Sequence, residues 1–449
     1  MDPKAIEFPE SSESTERELK KEWHRTHPFR NSAFVKLWLG QLLGLPALHI
    51  VFFAMIIQVF HLTGSNGLVG TLIAVISIPP ILFSSIGGVL ADHINRKILM
   101  VGSNAARLVF AILLFFFHDS VLAIMFLSFG IASLTFFFQP AENSSIPGIV
   151  GKKNLLLGNS IYMFTFYVAT FLGYTIAGPA IEWIGVKTLL MVVIGMFGSA
   201  TILDVLLPKL SETKWKHAKL DLGETARRTW HGMREGIVAM KGHHALQLTM
   251  LQLIYIFNVE RAIVALVPDL TLNYFKISIG QISLFLIGPL GLGAALAVVA
   301  VHAINRRFTK RQIINAGMLG NALFFFLLPI AAFSSTIFNG GGQTPLKILS
   351  MIVLALMAGF ADILIMVTAQ TLLHEQVDDA TRGRIVGNLL ALMNGLGVPV
   401  ILLIGWLTNF VSAPHVILGT GILTFGIWWV CASFSKKELV RAETKRRNK

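Results

Sequence analysis

Four ionisable side chains occur inside long apolar stretches of this 449-residue sequence, where they have the capacity to do chemistry. Asp362 and Glu260 can bind and release a proton, Arg261 can hold an anionic group, and His49 can exchange a proton. An ionisable group in an apolar stretch is costly unless it faces a cavity or a partner. We therefore expect these side chains, with the amide of Gln139, to line a path for protons and a small molecule.

Catalytic chemistry has no comparable basis in the sequence. Nucleophile elbows, phosphate loops and zinc-protease helices have fixed patterns, and GxSxG, GxxxxGK[ST] and HExxH do not occur. The adjacent His243 and His244 have no neighbouring acid or cysteine that would complete a metal site. We predict no catalytic residue, no metal site and no cofactor. An intramembrane enzyme and a non-transporting membrane sensor are the remote alternatives.

The elements that position these residues follow from the composition. The chain is 54% hydrophobic and 14% charged, with a mean hydropathy of +0.69, whereas soluble domains carry about 25% charged residues. A helix needs about 20 apolar residues to cross a bilayer, and twelve stretches are long enough. They lie at 34–61, 66–91, 98–117, 120–141, 155–181, 186–207, 245–271, 280–303, 312–333, 347–374, 384–409 and 413–435. We predict an all-α integral membrane protein with twelve transmembrane helices.

Basic residues set the expected orientation. Of 37 Lys and Arg residues, 31 fall in the tails and loops of one side, and three, Lys187, Lys276 and Lys347, fall in the opposite loops. Positively charged loops stay in the cytoplasm. We therefore expect a multi-pass plasma-membrane protein with both termini cytoplasmic. The same asymmetry explains the net charge of +13 without a nucleic-acid partner.

A long polar loop divides the chain into two sets of six spans. Apolar residues between Leu222 and Met240 recur on one helical face, which predicts an amphipathic helix on the anionic inner leaflet or packed under the bundle. Glu142 and Asp204 lie near predicted helix ends, and we expect both to reach water. The predicted units are a cytoplasmic tail 1–31, a six-helix bundle 32–207, the central loop 208–244, a second bundle 245–435 and a basic tail 436–449.

The turn after the second span carries a recognisable motif, "GGVLADHINRK" at 87–97. It resembles the signature of the major facilitator superfamily: Gly, three residues, Asp, a base, any residue, Gly and two bases. Gly88, Asp92, Arg96 and Lys97 match, while His93 and Asn95 depart from the pattern. The resemblance implies two pseudo-symmetric six-helix bundles, with the first, fourth, seventh and tenth spans around a central cavity.

The resemblance also implies a charge latch. In the superfamily the Asp of this turn holds the two halves together against the cytoplasmic end of span eleven. That role falls to Asp92 and Arg96, with Arg382 and Arg384 as the partners in span eleven. We expect Arg107 in span three to be a structural or gating charge, paired with Asp92 or Glu142.

Four further stretches resemble the macrolide-efflux-like, drug:proton antiporter branch of the superfamily. They are "FRNSAFVKLWLGQ", "LTGS" at 62–65, "GETARRTWHGMREGIVAMKGHHALQL" and "TRGRIVG". Gly178 and Pro179 resemble the Gly-Pro of antiporters and mark helix packing. Many relatives carry an acid where this sequence has Leu48. This departure leaves the coupling ion open.

The resemblance implies a secondary active transporter. We expect export of an amphipathic or hydrophobic small molecule by alternating access, with protons as the coupling ion and a monomer as the working unit. A lysophospholipid or siderophore carrier of the same fold is the alternative. The sequence does not identify the substrate, because side chains from many helices line the cavity.

Overall fold

The structure, a computed structural model, describes residues 27–151, 154–209, 244–338, 345–376 and 379–447, and every regular element in these ranges is a helix. The amphipathic helix predicted in the central loop lies outside the described residues. So does the N-terminal tail before residue 27.

The first half follows a short 3-10 turn at Pro28–Arg30. Its helices are α1 Ser32–Thr63, α2 Asn66–Ser77 with Pro79–His93, α3 Arg96–Phe117, α4 Val121–Val150, and Leu155–Val205, whose two parts we call α5 and α6. The break in α2 falls at Ile78, immediately before two prolines that have no amide hydrogen to donate. Gly185 divides α5 from α6, with φ 76° and ψ 161°, a conformation that favours glycine.

The second half repeats this arrangement with more irregular helices. They are α7 His244–Val264, continued by Val267–Asp269 and Leu270–Phe275; α8, made of Ile279–Ile282, Ser283–Ile287 and Gly288–Arg307; α9 Lys310–Phe338; α10 Pro345–Gln376; α11 Asp379–Leu407; and α12 Ala413–Arg447. The helix bends by 51° between Val264 and Val267. Ser278 begins α8 with a capping box that includes Gln281.

Each of the twelve predicted spans coincides with a helix. Nine helices of the described part are individually long and apolar enough to cross a membrane, and the bent pair of α7 forms a tenth. The 51-residue helix Leu155–Val205 provides two spans because of its break at Gly185. The eleventh span contains the apolar segment Met393–Leu407 of α11. The prediction of an all-α membrane fold is confirmed.

Two predicted boundaries fall short of the helix end by more than two helical turns. The twelfth stretch was expected to end at 435, but α12 continues to Arg447. The fourth stretch was expected to end at 141, but α4 continues to Val150 through Pro140 and Pro147. Proline is tolerated in bundled membrane helices, because neighbouring helices and side chains satisfy the backbone groups that it frees. Residues after 141 therefore belong to the bundle.

Close packing holds the bundle together. Apolar side chains of both halves form one continuous buried cluster, from Val51 and Leu72 to Leu266 and Phe325. Lipid is as apolar as these side chains, so contact between small residues contributes much of the helix association. A Cβ at Gly87 of α2, for example, would overlap the carbonyl oxygen of Phe136 on α4.

Candidate substrate and proton site

Glu260 on α7 and Asp362 on α10 meet inside the second half, where their buried carboxyl groups face each other. An ionised carboxylate only accepts hydrogen bonds, so the two groups can share one only when one of them holds a proton. Asn321 on α9 donates its amide to Asp362 Oδ1 at 2.5 Å. Glu260 Oε1 is buried and has no hydrogen-bond partner among the described residues. The geometry is that of two facing buried carboxyl groups with one unused acceptor.

Glycines allow α10 to reach this position. A Cβ at Gly359 would overlap the carbonyl oxygen of Leu290 on α8, and a Cβ at Gly317 on α9 would lie 3.0 Å from the carbonyl oxygen of Ala361. The three backbones therefore approach one another more closely than larger side chains would permit. This approach brings Asp362 within hydrogen-bond reach of α9.

Arg261 points away from the carboxyl pair and across to the first half. Its Nη2 donates to Ser77 Oγ on α2 at 2.9 Å, and its Nη1 donates to Asn394 Oδ1 on α11 at 3.3 Å. Its guanidinium also lies 5.1 Å from the centre of the Phe257 ring. Consecutive helical residues point about 100° apart, so Glu260 faces Asp362 while Arg261 faces the interface between the halves.

A cavity of about 130 Å³ lies inside the first half, between α1, α3, α4 and α5. Three predicted site residues, His49, Gln139 and Arg107, line it together with Leu48. Both ring nitrogens of His49 are buried without a hydrogen-bond partner in the described part of the chain, and the ring lies 4.7 Å from that of Tyr174. The predicted site residues thus fall into two separate places, one in each half.

Arg107 is the centre of a buried polar cluster beside this cavity. Its guanidinium donates to Asn104 Oδ1 at 2.8 Å and to Thr135 Oγ1 at 3.0 Å. Asn104 in turn donates to Asp204 Oδ2 at 2.7 Å. The positive charge of Arg107 also acts on both Glu142 and Asp204. Of the two partners predicted for Arg107, the structure places Glu142 beside it.

The expectation that Glu142 and Asp204 reach water is wrong. They are only 5% and 1% exposed. Glu142 is buried because α4 continues past it, and it faces the hydroxyl of Tyr162. Asp204 is buried because α1 lies over it at Gly40, where a Cβ would be 3.6 Å from Oδ1.

Comparison with known proteins gives these sites their context. Residues 37–400 match the family model for the Major Facilitator Superfamily. The chain belongs to the Major Facilitator Superfamily. It is a multi-pass membrane protein and a secondary transporter, not an enzyme.

Sequence and structure relatives agree with this assignment. Macrolide efflux protein A of Streptococcus pyogenes is 28% identical over 285 residues, which are 58% of this chain and 66% of that protein. The nucleoside transporter NupG has the same fold with a TM-score of 0.69 and 12% identity, covering 90% of this chain and 99% of NupG. The POT family transporter PepTSo has the same fold with a TM-score of 0.66 and 11% identity, covering 91% of this chain and 99% of PepTSo.

The two halves of this facilitator are joined by hydrogen bonds and close packing on one side. We call the side where α1 ends and α2 begins the loop side, and the opposite side the terminal side. Asn66 on α2 donates to Asp269 after α7 at 2.7 Å, and Trp406 at the end of α11 donates to Thr71 on α2 at 3.3 Å. At Gly70 a Cβ would lie 3.2 Å from a backbone oxygen of α11. The facilitator is therefore closed on the loop side.

Gly178 belongs to a second contact on the loop side, between α5 and α8. Its amide donates to Ser283 Oγ at 3.2 Å, and the same hydroxyl donates to the Tyr174 carbonyl. One turn along, Glu182 Oε2 accepts from Ser278 Oγ at 2.6 Å and from the Gly280 amide at 2.8 Å. A side chain at 178 would overlap Ser283.

Pro179 follows within this contact. Its Cα would lie 3.3 Å from a Cβ at Gly280 on α8. Two residues predicted to mark helix packing, Gly178 and Pro179, thus lie where the halves touch. The sequence alone did not indicate that α8 is their neighbour.

The bases of the predicted latch have partners inside the first half. Arg96 Nη1 donates to the Ser144 carbonyl on α4, and Lys97 Nζ donates to the Leu207 carbonyl after α6, both at 2.6 Å. Leu207 follows the end of α6, where carbonyls lack helical partners and favour positive charge. Both bases therefore fasten the α2–α3 turn to its own bundle in this conformation.

The contacts of the other residues in the predicted latch are not described by the structure. The side chains of Asp92, Arg382 and Arg384 lie outside the described residues. A Cβ at Gly88 would meet open space. The latch between the α2–α3 turn and α11 stays a prediction.

Several uncharged residues of these sites are missing from the sequence prediction. Asn321 binds the carboxyl pair, Asn104 binds the arginine cluster, and Asn66 joins the halves. Each lies inside or beside an apolar stretch. A polar amide in such a stretch is itself a signal, because it needs a hydrogen-bond partner there.

Proposed function

We propose that this transporter exports an amphipathic small molecule in exchange for protons, with Glu260 and Asp362 as the proton-binding pair. The observation that supports the proposal is the close approach of the two buried carboxyl groups. A hydrogen bond between them would require a bound proton in the conformation that is closed on the loop side. The cycle would move the two halves about this site by alternating access.

Loss of a proton held between the Glu260 and Asp362 carboxyl groups should drive the two groups apart. Two carboxylates at hydrogen-bond distance repel each other strongly where the surroundings are apolar. The repulsion acts between α7 and α10, and the residue after Glu260 holds the first half through Ser77. Proton release therefore favours a conformation in which the contacts of α7 change.

The substrate class follows from the unused acceptor and from the relatives. Glu260 Oε1 is buried and unpartnered among the described residues, so it suits a substrate that donates a hydrogen bond or carries a positive charge. Macrolide efflux protein A, a distant relative, is named for macrolide efflux. The two points support export of a molecule that combines an apolar body with a donor group.

The asymmetry of basic residues supports an orientation with both termini in the cytoplasm of a plasma-membrane transporter. In this orientation the loop side is extracellular, and the structure is closed to the outside. The basic tails and central loop would then lie along the anionic inner leaflet. We propose that a monomer carries out the cycle, since each chain contains both halves.

The test uses purified protein in liposomes. Growth of an efflux-deficient bacterial strain on a compound panel that begins with macrolides first identifies a transported compound. Asp362→Asn and Glu260→Gln should each abolish uptake of that compound driven by an imposed pH gradient. Both should leave downhill exchange of the compound intact, because the amides keep the shape of the site but cannot carry the proton.

Asp119→Asn is the matched control. This acid has a side chain that is 76% exposed, and it lies outside the carboxyl pair. Its variant should transport like the wild type under both conditions. Gradient-driven uptake that survives in both Asp362→Asn and Glu260→Gln would rule out the pair as the proton carrier.

A further inference from the structure

Arg261 places a positive charge deep in the membrane, and its contacts in the described part of the chain are with uncharged side chains. They are the two hydrogen bonds to Ser77 and Asn394 and the stacking on the Phe257 ring. Ser77 lies about 16 Å along α2 from its beginning at Asn66, at 1.5 Å per residue. This is roughly half of the ~30 Å hydrocarbon thickness. A charge at that depth is costly without a partner of opposite charge.

The acids that could balance Arg261 are engaged elsewhere. Glu260 precedes it on α7 but faces Asp362. At the loop-side contacts, Asp269 accepts from two asparagines, and Glu182 accepts from the first residues of α8. No acid among the described residues forms a salt bridge with Arg261. Its charge therefore lacks a counter-ion within this part of the chain.

The guanidinium of Arg261 is within reach of a ligand. The side chain is half-buried, whereas Arg107, which has two acids beside it, is only 3% exposed. A guanidinium has five N–H donors, and only the two bonded to Ser77 and Asn394 have acceptors among the described residues. Because these partners belong to α2 and α11, the accessible part of Arg261 borders the space between the halves.

Tyr174 on α5 brings a second donor to this place from the first half. Its hydroxyl interacts electrostatically with the Arg261 guanidinium and makes no hydrogen bond within the described residues. Its ring is half-buried and packs on that of His49, with 4.7 Å between the ring centres. A neutral phenol donates to an anion readily. Unused donors from both halves, one of them charged, therefore lie close together.

We propose that Arg261 and Tyr174 bind a monovalent anion between the two halves, either a free halide or the carboxylate of an organic molecule. One negative charge balances one guanidinium, whereas sulfate or a doubly ionised phosphate would leave a charge uncompensated. Such an anion contacts both halves and so stabilises the conformation that is closed on the loop side. Binding does not require the carboxyl pair of Glu260 and Asp362.

The relation of this anion to the transported molecule rests on the proposed function. If the bound group is a carboxylate, the exported amphipathic molecule carries an acid group in addition to its hydrogen-bond donor. If it is a halide, the anion is a separate ligand of the same conformation. The two sources share one chemistry and are distinguished by the choice of probe.

Thermal unfolding of the full-length protein in a nonionic detergent tests the site, because a ligand of the folded state raises the Tm. The probes are 4-butylbenzoate and 4-butylbenzamide, which have the same apolar body but differ in charge. The benzoate should bind about 10- to 100-fold more tightly, the ratio expected for a charged hydrogen bond. Sodium chloride is titrated separately. A chloride-dependent rise in Tm that requires Arg261 identifies the halide as an occupant.

Three variants locate the effect. Arg261→Gln keeps hydrogen-bonding groups but removes the charge, so the preference for the benzoate over the benzamide should disappear. Lys187→Gln is the matched control, because it removes an exposed cation outside the site and should keep the preference. Tyr174→Phe removes only a hydroxyl group and should weaken binding of the benzoate roughly tenfold.

Equal affinities of the wild type for the benzoate and the benzamide would overturn the proposal. So would a preference that Tyr174→Phe leaves at the wild-type value, a result that holds even if Arg261→Gln does not fold. The assay contains no pH gradient and measures no transport. A failure of proton coupling and a failure of the anion site therefore give different results.

Discussion

Asn66 on α2 donates a hydrogen bond to Asp269 Oδ2 at 2.7 Å, while Asn273 donates to Oδ1 of the same carboxylate at 2.7 Å. The first bond joins the two halves, and the second stays within the second half. Asn66 is 6% exposed, so the bond between the halves is shielded from water. This carboxylate thus contributes a shielded hydrogen bond to the loop-side closure.

Asp269→Ala should open the loop side. Loss of a hydrogen bond to a charged group, about 1.5–3 kcal/mol, should raise the ratio of open to closed protein roughly 10- to 100-fold. A cysteine at Val69, which is fully buried in the closed structure, reports this change when Cys431 is replaced by Ser. Its reaction with a membrane-impermeant maleimide should accelerate, whereas Asn273→Ala should leave the rate unchanged. An unchanged rate in Asp269→Ala would contradict a gating role for the carboxylate.

Arg107→Met should destabilise the protein strongly. It leaves Glu142 and Asp204 buried near each other without the positive charge, and removal of one partner from a buried ion cluster costs about 3–5 kcal/mol. The melting temperature in detergent measures the effect. Lys187→Met, at an exposed residue whose ammonium lies 5.3 Å from the Phe115 ring, should change it little.

A triple variant tests whether the loss of stability in Arg107→Met is electrostatic. Addition of Glu142→Gln and Asp204→Asn to Arg107→Met removes both unpaired acids and should restore most of the lost stability. A triple variant no more stable than Arg107→Met alone would mean that the arginine acts through packing, for example against the Phe138 ring at 4.9 Å.

Asp92→Asn tests the latch that the superfamily motif implies. If Asp92 meets the beginning of α11 in the other conformation, the variant should transport more slowly at an unchanged level in the membrane. The transport rate and the abundance of the variant in the membrane are both measured on the same cells. Lys97→Met serves as the comparison variant for the same turn, because Lys97 donates to the Leu207 carbonyl within the first half. A wild-type rate in Asp92→Asn would remove the latch from this protein.

The orientation can be tested with reporter fusions after residues 215, 340 and 449. The distribution of basic residues predicts that the first and third reporters are cytoplasmic and the second extracellular. A phosphatase that is active only outside and a fluorescent protein that folds only inside give complementary signals. Any other pattern would reject both the orientation and the assignment of the loop side to the exterior.

Most of the fold could be predicted because a bilayer imposes one requirement on every span, a long apolar helix. That requirement does not set where a helix ends. α4 continues to Val150, and the residues at or beyond the end of the predicted apolar stretch that are buried in the bundle are Ala141, Glu142, Ser145 and Ile146. The amphipathic pattern of the central loop remains a prediction, since that loop lies outside the described residues.

The functional sites were less accessible to sequence reasoning. Asp362 and Glu260 were both expected in a proton path, but their 102-residue separation in sequence says nothing about the direction of each side chain. Their meeting depends on small residues such as Gly359, which let α10 approach its neighbours. His49 was expected in the same path, yet it lines the first-half cavity.

Arg261 follows Glu260 directly, and this adjacency has an energetic consequence. One turn of α7 carries both the carboxyl that faces Asp362 and the guanidinium that donates to Ser77 of the opposite half. A rotation of that turn cannot alter one contact without altering the other. Proton occupancy and the balance between conformations would therefore be linked within a single helical turn, without a long relay of intervening residues. A charged hydrogen bond of about 1.5–3 kcal/mol is enough to change that balance by one to two orders of magnitude.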